Sequence, residues 1–448
     1  MRFTRSSFIF SLAGVALGWP LSGCAPDVAD DPVPEALEFE LTPPPRAPEP
    51  SSLIVNPVTG RIDFSLAGIS LPDDCASQRL LWEADCEFNR YLETLDGYPT
   101  TSSARAPATA ELDVESASIG DNVVVVAARA KAPVTDVTVR FDPDDRALVL
   151  DKASSWERGE FYWIGIRGYE RGVRASSGAK VVGSPTQFLL KQERPLTCGA
   201  KTPAELDPSC PALSLVSPGR TSAEAAAALF QLEAIRQAYV SGGGFALMEA
   251  FGLPKAELAV LWGFPIHTAS VAELDPTAGI VPRVTRDEIR VLVQGTIDPA
   301  TIEPIGLGVA GTVALIDLDA AAAGDFAGAF PSFSASFADS EIVIAPAEEL
   351  VDSHRYGLFF TDGLRDLAGD PLVASPVSKL LTLEAELLTT SGASAVSSLS
   401  KEQAVSLEAG RRALSPLFDE AAFAAATGIR RDNLVYCFAF SATSGEAP

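Results

Sequence analysis

ERGVRASSGAKVVGSP, residues 170–185, and TDGLRDLAGDPLVASP, residues 361–376, are two copies of one pattern. Gly172 aligns with Gly363, Arg174 with Arg365, Gly178 with Gly369, and Ser184-Pro185 with Ser375-Pro376. What recurs is what a tight turn needs: glycine where the backbone takes positive φ, and proline to close it. Asp362, Asp366 and Asp370 do not recur; Arg171, Ala175 and Ala179 stand in their places. The stretch therefore reads as a hairpin turn. A calcium loop in the second copy is the competing reading, because oxygen-rich loops of this kind bind that ion.

The repetition extends to both sides of the turn. An aromatic strand precedes each copy, EFYWIGIRG (160–168) and HRYGLFFTDG (354–363), and before it comes a short apolar strand, ALVLDK (147–152) and EIVIAP (341–346). Further upstream GDNVVVVA, from Gly120, aligns with GTVALIDL, from Gly311. Downstream, Thr221 and Glu224 have capping-box spacing, as do Ser400 and Gln403, and each pair opens a helical pattern. Leu229, Leu232, Ile235 and Tyr239 share one helical face in the first copy, and Leu407, Leu414 and Phe418 in the second. A short second helix follows in each. The copies close on FGLPKAELAVLWGFPI (251–266) and TGIRRDNLVYCFAF (427–440), which pair Gly252 with Gly428, Leu258 with Leu434 and Phe264 with Phe440.

A repeat of this length means two related domains rather than a solenoid. Short β-branched strands separated by turn signals predict a mainly β chain of two tandem Ig-like antiparallel β-sandwich repeats. Each carries a helical pair before its last strand. The expected boundaries are 53–268 and 269–448.

The start of the chain reads differently. Arg2 and Arg5 precede an apolar run from Phe8 to Trp19, the form of a secretory signal over residues 1–23 and too short for a membrane span. Leu21-Ser22-Gly23-Cys24 resembles the lipobox of bacterial lipoproteins, which implies lipidation at Cys24 and anchorage to a membrane through that lipid. Ala25 in the next position implies the outer membrane, by similarity to enterobacterial sorting. Residues 24–52, rich in proline and acid, are expected to form a semi-extended tether with no core of its own.

Export makes disulfides persistent. Cys75 with Cys86 and Cys198 with Cys210 is the economical pairing, though crossed pairings are open on spacing alone. Cys437 aligns with Leu261 inside NLVYCFAF and reads as a buried, inert thiol. A formal net charge of −25 argues against nucleic acid and anionic membrane surfaces as partners.

No chemistry-bearing motif emerges. Two histidines, His267 and His354, make a histidine-based metal centre implausible, and no Walker or Rossmann glycine loop occurs. Asp142, Asp144 and Asp145 sit in a proline-containing turn, which suits a solvated acidic surface better than a glycosidase pair. Tyr162, Trp163, Phe359 and Phe360 alternate along strands as core aromatics do. Neither catalytic nor metal nor cofactor residues are assigned.

LETLDGYPTTSSARAPATAELD (92–113), YWIGIRGYERGVRASSGAKVVGSP (162–185) and AELAVLWGFPIHT (256–268) resemble the N-terminal region of bacterial virulence-factor lipases. YGLFFTDGLRDLAGDPLVASP (356–376) resembles the same region and the Ig-like modules of bacterial surface proteins. The resemblance covers most of residues 53–442 and its motifs report strands and turns. In those lipases an α/β-hydrolase domain follows; here no G-x-S-x-G elbow occurs, so the lipase activity is not carried over. The sequence thus predicts a lipid-anchored envelope protein, non-enzymatic, acting as a binding or scaffolding module with an envelope protein partner. The alternative is a lipase-related hydrolase, or the non-catalytic partner of a separate hydrolase chain.

Overall fold

The computed structural model describes residues 33–40, 46–77, 81–216, 220–276, 279–285, 287–419 and 421–442. The signal segment and Cys24 lie outside them. The chain is β-rich, with antiparallel sheets interleaved by helices.

In the first half the strands are β1 (Glu35–Leu37), β2 (Ala104–Pro107), β3 (Val123–Ala127), β4 (Ala132–Pro133) and β5 (Val137–Asp142). They continue with β6 (Ala147–Lys152), β7 (Phe161–Arg167), β8 (Val181–Gly183) and β9 (Leu258–Pro265). The helices are α1 (Glu83–Leu92), α2 (Pro185–Leu190), α3 (Pro211–Val216), α4 (Ser222–Ser241) and α5 (Gly244–Ala250). One sheet runs β2-β6-β5 and another β4-β3-β7-β9.

In the second half the strands are β10 (Val271–Ala272), β11 (Arg283–Val284), β12 (Ile289–Gln294) and β13 (Val313–Asp317). They end with β14 (Phe333–Ala338), β15 (Glu341–Pro346), β16 (Arg355–Thr361) and β17 (Leu434–Ser441). The helices are α6 (Leu318–Ala322), α7 (Pro376–Leu381), α8 (Lys401–Asp419) and α9 (Ala421–Thr427). Here β12-β15-β14 and β13-β16-β17 repeat the strand orders of the first half, with β10 and β11 added on β12.

The agreement reaches single residues. A bulge falls between Ile166 and Arg167 where β7 meets β9, and between Phe360 and Thr361 where β16 meets β17. The glycine turns close alike: the Ala175 amide bonds Ala179 O and the Asp366 amide bonds Asp370 O, with φ of +83° at Gly178 and +88° at Gly369. Ser184 and Ser375 each cap the next helix, accepting from the amides of Gln187 and Ser378, with proline in the first turn. The β5–β6 and β14–β15 hairpins differ. The second is a two-residue turn with positive φ at both Asp339 and Ser340, the geometry that suits strand twist.

Strands β3, β7, β9, β13, β16 and β17 are continuous apolar runs, buried along most of their length. The reason is that the helices pack on one face while the partner sheet fills the other. Leu148 and Leu150 of β6 share a core with Tyr162, Ile164 and Phe264, and Ile342 and Ile344 of β15 share another with Leu358, Phe360 and Tyr436. A third core crosses between the halves. Phe88, Tyr91 and Leu95 from α1 and its following turn pack with Leu380, Leu383, Leu387 and Val396.

Two expectations need correction. The tether does not extend to residue 52: Leu37 and Phe39 are fully buried in the first core, and β1 pairs in parallel with β8. Their alternation between acidic residues is a strand signal, and burying two large side chains outweighs the polar composition around them. The alignment of Gly120 with Gly311 is displaced by one. The ladders place Val123 opposite Ile166 and Val313 opposite Phe360, each beside its bulge. Only Gly120 of the two glycines has positive φ, so they do different work.

Candidate functional site

The residues singled out from sequence take structural roles. Disulfides join Cys75 to Cys86 and Cys198 to Cys210; the second closes a loop before α3. Cys437 is a buried free thiol, and burial pushes its pKa up to about 12. Tyr162, Trp163, Phe359 and Phe360 are all core residues. Asp366 caps its own turn, its Oδ1 accepting from the amides of Ala368 and Asp370 at 2.9 and 3.0 Å. Among the described residues no three of His, Cys, Asp or Glu are gathered to hold a metal ion.

His354 Nδ1 lies 2.6 Å from Asp317 Oδ2, a contact familiar from hydrolytic dyads. The repeat supplies an internal control. Glu160 holds the matching place before β7, and its carboxylate accepts from the amides of Arg129 and Ala130, pinning the end of β3. His354 and Asp317 pin the end of β13 in the same way, with Asp317 also accepting from the amides of Asp319 and Ala320. The pair is a structural clasp.

A second matched feature escaped the sequence reading. LEAIR (232–236) and LEAGR (407–411) put a glutamate and an arginine one helical turn apart on α4 and α8. Arg236 bonds both oxygens of Glu233, and Arg411 both of Glu408, within buried surroundings. The Leu196 amide also donates to Glu233, and the Leu387 amide to Glu408, so each pair holds the loop that follows the Ser-Pro helix. Burial alone would raise these carboxyls; the guanidinium and amide hydrogen bonds outweigh it and hold both at about 2. The four shared letters of LEAxR were the available signal.

A run of buried polar residues lies where the halves meet. After β9 the chain runs through His267 to Glu273, buried at both ends. The His267 amide bonds Tyr98 O, the Thr268 amide bonds Asp96, and Arg158 bonds Thr268 O at 2.6 Å and Ser270 Oγ at 3.2 Å. Gly97 makes the close approach feasible, since a Cβ there would stand 2.7 Å from His267 N. From the second half, the Val373 amide bonds Ser270 O, and Tyr91 Oη donates to Ala374 O across the boundary. Burial lowers the His267 pKa to about 4, which keeps the ring neutral inside this junction.

Beside the junction opens a cleft of about 750 Å³, within the range of ligand pockets. Its walls come from both halves: Thr100–Ser103, the β5–β6 hairpin and Asp151–Trp156 on one side, Asp275, Ile280, Ser400, Glu402 and Gln403 on the other. Five carboxylates and two cations line it, so its charge is negative. Arg140 is engaged by Asp151 and Lys152 by Asp136, each at 2.9 Å. The acidic turn thus divides its work. Asp142 caps the hairpin, Asp145 pairs with Arg105, and Asp144 lies on the cleft wall.

Glu273 stands behind the cleft, 1% exposed. Its Oε1 accepts from Thr100 Oγ1 at 2.7 Å, while Oε2 is buried with no partner at hydrogen-bonding geometry. Burial raises its pKa to about 7, and the nearby hydroxyls of Thr100 and Ser155 moderate the rise.

No known family model and no curated protein matches the chain. Solved structures that match include the N-terminal part of the bacterial S-layer protein SbsC, at 16% identity and a TM-score of 0.16 over 42% of this chain and 35% of that one. Domains 1–6 of the same surface-layer protein match at 16% identity and a TM-score of 0.18, over 42% of this chain and 20% of that one. The matched region spans about a third of the first chain's length or less, and likeness at these TM-scores carries no argument about fold or function.

Proposed function

We propose that this chain is a lipid-anchored bacterial envelope protein, held at the outer membrane through Cys24, which acts without enzymatic chemistry as a binding and scaffolding module. Its two sheet pairs are read as tandem Ig-like sandwiches with helical insertions, over 53–268 and 269–448, the first extended by the β1 strap. One observation carries the reading. The linker from His267 to Glu273 is hydrogen-bonded to both halves, and α1 packs across the boundary, so the two units form one stiff body. A stiff two-unit body with a polar cleft at its waist suits presenting a surface to a partner.

The histidines support the non-enzymatic side, since one is buried at the junction and the other is a strand clasp. The test is capture of partners from detergent-solubilised envelopes with the full, tagged, lipidated protein, compared with Cys24→Ser. The reading expects one stoichiometric partner, with Cys24→Ser lost from the membrane fraction. A Cys24→Ser protein that still fractionates with membranes overturns the anchor. A co-purifying α/β-hydrolase would convert the protein to the non-catalytic partner of a split enzyme.

A further inference from the structure

We infer that β14 is the contact through which a second copy of this chain docks, strand against strand, about a two-fold axis at Ala335. The inference is independent of the lipid anchor and of the cleft.

β14 ends its sheet and pairs only with β15 among the described residues. The Ala347 amide bonds Ser332 O, which fixes the alternation of the ladder: Ser332, Ser334 and Ser336 turn their backbone groups towards β15. Phe333, Ala335 and Phe337 turn theirs outwards, and no hydrogen bond from a described residue reaches them. A row of open amides and carbonyls is a template for another strand.

The repeat supplies the contrast. β5, the matching edge of the first half, carries Arg140 on its exposed face, paired with Asp142 and Asp151, and is followed by Pro143. Charge and proline of this kind keep edges from pairing. β14 has neither, and its exposed positions are Ser334, Ser336 and Ala338.

The order of residues selects the occupant. FSASF, 333–337, reads the same in both directions. Antiparallel pairing about Ala335 therefore sets like against like: Phe333 against Phe337 of the second copy, Ser334 against its Ser336, and Ala335 against its Ala335. In that register the outward backbone groups face one another and continue the ladder. The phenyl rings, half-buried on the second core, gain aromatic neighbours across the strands, and the serines meet on the exposed face. Charge permits this pairing despite the net charge of −25. Asp339 is the one charged residue from Pro331 to Ser340, and it falls opposite Pro331 of the second copy. Glu341, beside the edge on β15, is paired with Arg283 and Arg290. A two-fold contact of this kind closes at a dimer.

Sedimentation of the full protein in detergent is the test. A dimer should form on concentration and dissociate on dilution. Its association constant should rise with salt, because screening relieves the repulsion between two acidic copies. Ser334→Lys with Ser336→Lys opposes lysine to lysine and should lower that constant about tenfold. Bulk charge pulls the other way, since two lysines make the chain less acidic, so the loss reports the edge itself. Mild oxidation reads the register. An equimolar mixture of Ser334→Cys and Ser336→Cys should cross-link, because those positions face each other at a distance a disulfide spans. Neither variant alone should cross-link more than the native protein. Both positions are exposed, and thermal melting confirms that each variant is folded.

A native protein that stays monomeric overturns the inference, as does a lysine variant that associates like the native protein. Cross-linking of either cysteine variant alone as fast as the mixture does the same. Amide exchange identifies any other occupant. Protection of Phe333, Ala335 and Phe337 in a dilute monomer would mean that a segment of this chain covers the edge. Protection only on adding envelope extract would assign the edge to another protein, and either result overturns the inference.

Discussion

Glu408 and Arg411, one turn apart on α8, are joined through both carboxylate oxygens at 2.8 and 2.9 Å. The same pair recurs as Glu233 and Arg236 on α4, fixed to the corresponding loop of the first half. A buried pair of this kind is costly to break from the glutamate side, because Arg411 then has no carboxylate, whereas Glu408 without Arg411 keeps Arg412 at 2.6 Å. Glu408→Gln should therefore destabilise the protein by about 3–5 kcal/mol, and Arg411→Leu by less. Replacing both with leucine should cost less than Glu408→Gln alone, and a double-mutant cycle in urea unfolding checks this.

The two glutamates and Glu273 give stability opposite dependences on pH. Glu233 and Glu408, held at about 2, stabilise the fold above the ordinary carboxylate range and lose that contribution as pH falls towards 2. Glu273 is raised to about 7, so the folded state holds its proton more tightly than the unfolded chain. Its effect is a loss of stability as pH rises from about 4.5 to 7, of about 3 kcal/mol in total. Glu273→Gln should match the native protein at pH 4.5 and exceed it at pH 8, as read by the difference in unfolding midpoints. Equal midpoint differences at both pH values would show that the carboxyl is not buried as described.

Leu37 and Phe39 are core residues despite their proline-rich and acidic surroundings. Leu37→Ala should cost about 2–5 kcal/mol and Phe39→Ala about 3–5 kcal/mol. If this segment were a solvated tether, both would unfold like the native protein.

Much of the architecture was legible because turns and caps are local. The glycine turns, the Ser-Pro caps, the Thr221 box and the place of Cys437 follow from a few residues each, and the structure repeats them in register. The strap was misread because composition averaged over a window hid the alternation of two apolar residues. The β3 and β13 register slipped by one because apolar runs buried on both faces carry no period of two to fix it. The cleft was beyond reach of the sequence for a different reason. Thr100, Asp144, Glu273 and Glu402 meet only through the fold, and none stands in a motif. The clasp of His354 and Asp317 became readable only when its counterpart, Glu160, was seen doing the same task.

Cys437 is buried with its pKa raised to about 12, so its thiolate is scarce at neutral pH. A thiol reagent should leave it unmodified in the native protein and label it at the rate of global unfolding in urea. Labelling within the mixing time without denaturant would mean that β17 is exposed.

The stiffness of the junction is the claim on which the scaffold reading stands, and amide hydrogen exchange of residues 266 to 273 in the full protein tests it. The amides of Ile266, His267 and Glu273 are bonded within β-type contacts on both sides of the boundary. They should exchange as slowly as those of β7 and β9, and the protein should melt in one calorimetric transition. Exchange at the rate of a free linker, with two separate transitions, would mean that the halves move independently and would contradict the account.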